Sequence, residues 1–418
     1  MTAPTVGSRP ASLYDLQRPA VLAEPWPFYR RLRAEPGPRW DPTCHSWLVA
    51  RHADVSGLLA DRRLSVGMDH QRVARIAPAS TRHWYSLLDA HVSFVDPPRH
   101  ARLRAVLAGP FKPAGLSTLE GYICDLADAA LDRVIAAGRM DVVTDLAYPI
   151  PLQVMRHMLS LHAVDLATLR RWSNAWGAVV AAPAHLPTGD TRQLVADVND
   201  LITYLRQVIA EQRTAPADTV TGLLANAAAG EALTDDEVIA GLLMLLTAGH
   251  ETTANLISNI VAALLDDPQL ADLLHRRPDL LQAAVDELAR LHSPTQYTAR
   301  TTLVDIDLAG QVVPAGSSVV LMLAAANRDP RAFPDPDAVR LDRPATPQPV
   351  AFGHGPHFCF GAPLARLEAR LTVDRLLARC TDLRPAGARR WRPNPNLRGL
   401  DSLPITFRPR NLADGGTS

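Results

Sequence analysis

The sequence predicts a mainly α-helical protein with small β-sheets, formed as a single domain over residues 1–418. An apolar segment that begins with a capping box at Thr234 is long enough for an interior helix of unusual length. The segment 311–319 contains the turn signal Pro314-Ala315-Gly316 and predicts a β-hairpin. Prolines are scattered and no Gly/Ser-rich linker or internal repeat divides the chain, so we expect one folded body.

The charge and cysteine content excludes several classes of protein. Acidic and basic residues number 43 each, so no net charge favours nucleic acid or an anionic membrane surface. Lys112 is the only lysine, and this arginine bias is typical of a GC-rich bacterial genome. The four cysteines form no CxxC pair, which argues against a disulfide framework or a zinc site and fits a reducing cytosol. They are Cys44, Cys124, Cys359 and Cys380.

No segment of the sequence predicts membrane insertion. Residues 1–19 have neither the charged nor the apolar region of a signal peptide. The longest apolar run, 239–248, is too short to span a bilayer. We therefore expect a soluble, cytoplasmic protein with frayed termini and no membrane partner.

The segment after Thr234 predicts a long helix in the protein interior. Thr234 and Glu237 have the spacing of a capping box, and the apolar pattern continues to Leu265 before Pro268 ends it. A helix of about thirty residues that is apolar on most faces is expected to cross the interior.

The middle of this predicted helix has a sequence that packing does not explain. Gly249 costs about 1 kcal/mol inside a helix, and it is followed by His250, Glu251 and Thr252 between apolar flanks. The Thr252 hydroxyl can bond to the carbonyl one turn earlier and bend the helix. A functional distortion explains this segment better than a solvent-facing polar stripe does.

A glycine-punctuated loop places one cysteine between two aromatic residues. Its fixed positions are Phe352, Gly355, His357, Cys359 and Gly361. Glycines let the backbone pass close to a flat cofactor, and backbone N–H groups can point at the sulfur, so a thiolate here suits a metal ligand. The other interpretation is a buried free cysteine in a tight turn. The spacing resembles the haem-ligand loop of the cytochrome P450 family.

This resemblance implies the cytochrome P450 fold, in which a long central distal helix and a proximal cysteine loop enclose haem b. It covers about residues 20–408, with the motifs in the family's order. Cys359 would be the iron ligand, and a thiolate in that position favours O–O cleavage. Phe352 and Gly361 would contact the cofactor.

The segment 248–252 is similar to the family's oxygen-activation motif, Ala/Gly-Gly-x-Asp/Glu-Thr. On that resemblance Thr252 is a catalytic residue that hydrogen-bonds oxygen, and Glu251 is a catalytic acid that relays protons from solvent. Gly249 would leave room for oxygen beside the cofactor. His250 is assigned to a structural or water-relay network rather than to the iron.

Four basic residues match the family's contacts to the haem propionates, which need cations or polar donors because they lie in a partly buried site. His100 and Arg104 lie in a segment similar to DPPxHxxxR, and their i,i+4 spacing places both on one helical face. Arg300 precedes a strand-like run, 301–308, and His357 lies two residues before the cysteine. The alternative for each alone is a surface basic residue.

Glu287 and Arg290 match the family's structural ExxR motif. Alone, this spacing indicates no more than an i,i+3 surface ion pair. The resemblance implies a buried network with an arginine from a later segment, for which Arg343 is the best candidate, and a structural role in holding the cysteine loop.

The function implied is that of a bacterial, actinomycete-like haem-thiolate monooxygenase. It would take two electrons from NAD(P)H through a separate ferredoxin and ferredoxin reductase, and would hydroxylate a small molecule in natural-product biosynthesis. Oxidative C–C or C–O coupling of aromatic substrates, peroxide-driven chemistry and a non-catalytic accessory protein are the alternatives. Whether a carrier protein presents the substrate is left open.

The substrate pocket is the least predictable part of the sequence. By family position its walls would come from about 64–94, 172–186, 295–298 and 397–400, with Leu246 and Ala248. Gln296 and Tyr297 are placed where they would hydrogen-bond a substrate. The aromatic residues of the first wall either stack on a planar substrate or pack the loop onto the body; they are His83, Trp84, Tyr85 and His91.

Overall fold

The fold was analysed in a computed structural model, which describes residues 11–67, 81–82, 84–181, 191–215, 219–230 and 232–410. These residues are mainly helical with small β-sheets, so the predicted fold class is confirmed. Within these ranges no helix combines the length and hydropathy that crossing a membrane requires.

The α-helices fall in two groups along the chain. The first group is α1 (Pro19–Ala23), α2 (Trp26–Ala34), α3 (His52–Ala60), α4 (Trp84–Asp89), α5 (Arg99–Leu107), α6 (Pro113–Ser117), α7 (Glu120–Ile135), α8 (Pro149–Met158) and α9 (Leu166–Ala181). The second group is α10 (Arg192–Thr214), α11 (Val220–Ala229), α12 (Asp235–Asp266), α13 (Pro268–Arg276), α14 (Leu281–Leu291), α15 (Leu323–Ala326) and α16 (Ala362–Arg379).

The strands of the described residues are short and form four small sheets. They are β1 (Arg39–Asp41), β2 (Ser46–Val49), β3 (Leu64–Ser65), β4 (Arg139–Asp141), β5 (Thr298–Thr302), β6 (Ile306–Leu308), β7 (Gln311–Val313), β8 (Ser318–Leu321), β9 (Cys380–Pro385), β10 (Arg390–Trp391), β11 (Leu400–Ser402) and β12 (Pro404–Pro409).

The chain divides into two compact units. The first contains the described parts of Met1–Ser65, Asp279–Cys359 and Arg389–Ser402, and the second those of Val66–Pro278, Phe360–Ala388 and Leu403–Ser418. That residues 1–418 act as a single domain remains a prediction from the sequence.

The first unit is built on a five-stranded sheet with the order β1-β2-β8-β5-β3, in which only β2 and β8 run parallel. Alternate residues of β8 enter two different apolar clusters. Val319 and Leu321 pack with helix α3, whereas Val320 packs with helix α2. This alternation follows the two-residue period of a strand, so the sheet is covered on both faces.

The second unit is organised around the long helix α12. Thr234 and Glu237 form the predicted capping box, and the helix runs for 32 residues before Pro268 begins α13. Helices α8, α9 and α16 pack against it. The prediction of a long interior helix after Thr234 is confirmed, because residues on all of its faces are buried along most of its length.

The predicted hairpin across Pro314-Ala315-Gly316 is wrong. Strand β7 pairs with β6 through a tight turn at Ala309 and Gly310, both of which have positive φ, and β8 joins the five-stranded sheet instead. The strand-like run 301–308 is likewise two strands in different sheets. The chain has two turn signals here, Ala309-Gly310 and Pro314-Ala315-Gly316. Positive φ at both Ala309 and Gly310 fits the two-residue loop of a hairpin.

Candidate active site

The cysteine loop in the first unit is held by its own backbone. The Cys359 N–H donates to the Phe352 carbonyl at 2.9 Å, and the Phe358 N–H donates to the Gly355 carbonyl at 3.0 Å. Gly355 has φ of +70°, and a Cβ there would lie 2.8 Å from the Cα of Ala60 in α3. The loop therefore requires glycine at this position both for its conformation and for its contact with α3. Cys359 itself is exposed.

Beneath this loop lies the predicted network of Glu287, Arg290 and Arg343. Arg290 donates to both Glu287 carboxylate oxygens at 2.7 and 2.8 Å, and the Arg343 Nε donates to Oε1 at 2.7 Å. The Arg290 side chain is 0 % exposed. Burial raises the pKa of Glu287, but the hydrogen bonds from the two arginines more than offset this and hold it below its usual value. The structural role predicted for the three residues is confirmed.

Asn327 connects this network to the cysteine loop, and the sequence analysis missed it. Its carbonyl accepts from Arg290 at 2.7 Å, its Nδ2 donates to Ser293 at 2.8 Å, and its Oδ1 accepts from the Val350 N–H at 2.7 Å. Asn327 is fully buried. No sequence motif marked this asparagine, because its role depends on three partners that are distant along the chain.

Two predicted propionate contacts also lie in the first unit. Arg300 on β5 is buried, and its Nη1 donates to the Thr298 hydroxyl at 3.0 Å and to the Ala299 carbonyl at 2.8 Å. His357 ends a short 3-10 turn in the cysteine loop and is half-buried, as is Phe352.

In the second unit, residues of helix α12 become more exposed at the predicted oxygen-activation segment. Its flanking residues are buried, but Ala248 is exposed, and Glu251 and Thr252 are half-exposed. The Thr252 hydroxyl donates to the Ala248 carbonyl at 2.9 Å, which is the bond one turn back that the sequence predicted. Glu251 and Thr252 are therefore accessible in a helix most of whose residues are buried.

The structure gives Gly249 a packing role. A Cβ at this position would lie 2.4 Å from the Met155 sulfur on α8. A Cβ would force the Met155 side chain to shift where α8 packs on α12, so this contact favours glycine, a reason different from the room for oxygen that the family resemblance implied.

His250 is confirmed as part of a structural network. It is buried, its Nδ1 lies 2.7 Å from the Leu246 carbonyl, and its Nε2 lies 2.9 Å from the Tyr148 hydroxyl.

Helix α5 carries the other two predicted propionate contacts. His100 is buried, and burial together with the nearby Arg104 charge lowers its pKa. The Arg104 guanidinium lies 5.5 Å from the ring centroid of Phe360, the residue after Cys359. Gly361, the last residue of the motif, caps α16 and is half-buried.

The remaining arginines of α5 have a role that the sequence analysis missed. Arg99 and Arg102 both donate to Glu237, the capping-box residue of α12, at 3.0 and 2.6 Å. Burial raises the Glu237 pKa, but Arg102, the Thr234 N–H and Arg99 lower it to about 2. These ion pairs join α5 to the start of α12.

Two hypotheses about substrate contacts change. The proposal that Gln296 binds substrate is wrong, because it is buried, accepts from the Tyr29 hydroxyl and donates to the Ser293 carbonyl, each at 2.5 Å. Trp84 is buried and donates to Asn199 at 3.1 Å, so it packs α4 onto α10. His83 and residues 182–186 lie outside the described residues.

The residues present fit a haem with a thiolate ligand. Cys359 presents an exposed thiol from a loop with two glycines of positive φ, and each unit contains a buried basic residue among the predicted propionate contacts, Arg300 in the first unit and His100 in the second. Thiolate ligation and charge-assisted pairing of propionates require these donor types. Fold and donor set together define a haem-thiolate class of protein.

Comparisons with known proteins agree with this haem-thiolate class. A family profile described as Cytochrome P450 matches residues 88–395. The chain is 37% identical over 399 residues to the cytochrome P450 monooxygenase PikC of Streptomyces venezuelae, covering 92% of each sequence. It is 36% identical over 411 residues to vitamin D(3) 25-hydroxylase of Pseudonocardia autotrophica, covering 95% of this chain and 97% of that protein.

A solved structure extends the agreement to the fold. P450BioI, in complex with an acyl carrier protein ligated to hexadec-9Z-enoic acid, matches with a TM-score of 0.83 and 32% identity, covering 93% of this chain and 100% of that one. The chain belongs to the cytochrome P450 family, and its enzyme class is that of the P450 monooxygenases.

Proposed function

We propose that this protein is a haem-thiolate monooxygenase that hydroxylates a small organic molecule in natural-product biosynthesis. The exposed Cys359 thiol, in a loop whose conformation requires glycine, is the single observation that carries the proposal. Names of relatives support the reaction type, since one is a monooxygenase and another a hydroxylase.

Each predicted site residue has a role in this proposal. Cys359 would ligate the iron of haem b, and Phe352 and Gly361 would contact the cofactor. When bound, the haem supplies the oxygen chemistry. Its propionates would be paired by four basic side chains, which are His100, Arg104, Arg300 and His357.

Protons reach the oxygen site through α12. Glu251 is half-exposed and takes protons from solvent, and Thr252 holds a hydroxyl beside the exposed face at Ala248. The Thr252 hydroxyl is already bonded to the Ala248 carbonyl, which fixes its oxygen as an acceptor for an incoming hydrogen. Thr252 thus orients a proton, and Glu251 supplies it.

The electron source and the partners extend beyond the chain. We propose NAD(P)H, ferredoxin and ferredoxin reductase as the source of two electrons. The structure of P450BioI with an acyl carrier protein supports a carrier-tethered substrate as one form of delivery. The cytoplasmic location rests on the four widely spaced cysteines of the sequence, which form no CxxC pair, and remains a prediction.

The absorption spectrum of the reduced protein with carbon monoxide tests the iron ligand. We expect a strongly red-shifted Soret band that is lost in Cys359→Ser and kept in Cys124→Ser, a matched change of a half-buried cysteine on α7. A spectrum of histidine-ligated haem, or no bound haem, would contradict the proposal and favour an accessory protein. Once a substrate is found, a product that gains one oxygen atom supports hydroxylation, whereas a product that only loses hydrogen indicates oxidative coupling.

A further inference from the structure

A π-helix, Val142–Ala147, lies beside the middle of α12. In this rare form each turn holds an extra residue, and it occurs frequently at functional sites. It ends at Tyr148, whose N–H donates to the Val143 carbonyl at 2.9 Å. The Arg170 guanidinium lies over the face of the Tyr148 ring, 3.9 Å from its centroid, in a cation–π contact. The phenol is thereby fixed in position next to α12.

The contacts of His250 define its tautomer. The Leu246 carbonyl can only accept, so the Nδ1 atom at 2.7 Å must carry hydrogen. The Tyr148 hydroxyl has one hydrogen and lies 2.9 Å from Nε2 and 3.2 Å from the Asn174 Oδ1. The phenol hydrogen can go to only one of these two atoms, and in the arrangement proposed below it goes to the nearer one, so that Nε2 accepts from Tyr148 and the imidazole is neutral.

This bond anchors the segment that carries Glu251 and Thr252. His250, Thr252 and Thr253 each bond to the carbonyl four residues back, so three side chains of one turn of α12 are bonded to the turn before it. His250 also reaches outside the helix, to Tyr148. Because one ring nitrogen of His250 bonds to its own helix and the other to Tyr148, this segment of α12 has less freedom to rotate.

We propose that Tyr148 is a positioning residue for oxygen activation, which acts through neutral His250 to hold the Glu251–Thr252 segment in register. This inference rests on the proposed function but assigns a role to two residues that the function does not use. It predicts that His250 needs one donor and one acceptor, and does not need to ionise.

Four variants of the haem-loaded protein test the proposal. Tyr148→Phe removes the hydroxyl, and His250→Leu removes both polar atoms. His250→Gln keeps a donor and an acceptor but cannot carry a proton at neutral pH. Tyr122→Phe is the matched control, since Tyr122 also lies against a histidine, with its ring centroid 4.7 Å from that of His157.

The first measurement is the hydrogen peroxide released per NADPH consumed with a plant-type ferredoxin and its reductase. We expect about threefold or more peroxide in Tyr148→Phe and in His250→Leu, and no further increase in their double variant. His250→Gln should restore a ratio within about twofold of the wild type. An unchanged ratio in Tyr148→Phe, or His250→Gln as defective as His250→Leu, would overturn the proposal.

The second measurement does not depend on turnover. In the reduced, carbon monoxide-bound protein, which is diamagnetic, ¹⁵N spectra assigned with His250→Gln should show Nδ1 protonated and Nε2 accepting a hydrogen bond. Tyr148→Phe should move the Nε2 resonance alone, and Tyr122→Phe should leave it in place. A protonated Nε2 in the wild type contradicts the inference. Loss of the thiolate-type Soret band in the wild type would instead count against the proposed function.

Discussion

Glu287→Gln is the change whose effect the structure defines most sharply. The substitution keeps the size of the side chain but removes the charge that pairs with Arg290 and Arg343. Because Arg290 is 0 % exposed, it becomes a buried cation without its counter-charge. Breaking one partner of a buried pair costs about 3–5 kcal/mol.

The expected shift in melting temperature follows from chain length. At about 2.1 cal/mol/K of unfolding entropy per residue, 418 residues give a decrease of about 3–6 °C if they unfold together. Differential scanning calorimetry of the haem-loaded protein measures this. Glu35→Gln is the control. Glu35 is half-exposed and pairs with Arg39, and such surface pairs contribute less than about 1 kcal/mol.

Asn327 transmits the change to the cysteine loop. It accepts from Arg290 and also holds the Val350 N–H at the start of that loop, so Glu287→Gln should speed haem loss as well as lower the melting temperature. Equal melting temperatures for Glu287→Gln and Glu35→Gln would refute the reasoning, because the buried network would then contribute no more than a surface pair.

Three further predictions follow from other buried groups. Glu368 on α16 is fully buried and its pKa is raised well above the usual value by burial, so the unfolded chain ionises first and stability falls as pH rises above about 4.5. Glu368→Gln should flatten this slope in urea titrations between about pH 5 and 8, and an unchanged slope would contradict it. Gly249→Ala should cost about 1–3 kcal/mol by overpacking Met155, and Met155→Ala should recover part of it in the same denaturation assay; additive losses would exclude the clash. Glu237, with a pKa of about 2, stabilises the fold above its unfolded pKa near 4.5, and acid titration of Glu237→Gln should show less stability lost as pH falls from about 5 to 2 than in the wild type.

The cysteine loop was predictable because its requirements are local. A backbone with positive φ at Gly353 and Gly355 needs glycine, and the thiol must lie at a fixed distance along the same loop. The capping box and length of α12 were predictable for the same reason, since Thr234 and Glu237 are three residues apart.

Choices between distant partners were not predictable from the sequence. Strand β7 could pair with the strand before it, β6, or with the strand after it, β8. Because β8 packs into the five-stranded sheet, β7 pairs with β6. The amide of Gln296 could hydrogen-bond a substrate, but it is buried beside Tyr29 and both of its polar atoms are hydrogen-bonded within the protein.

The sequence by itself therefore determined the fold class, the long helix and the cysteine loop, because each depends on short-range spacing and side-chain type. Only the tertiary structure decided the partners of buried polar groups. Asn327 joins three segments and Tyr148 reaches His250 across 102 positions of chain. A buried donor or acceptor must find a partner, and which partner is within reach depends on how the helices and strands pack.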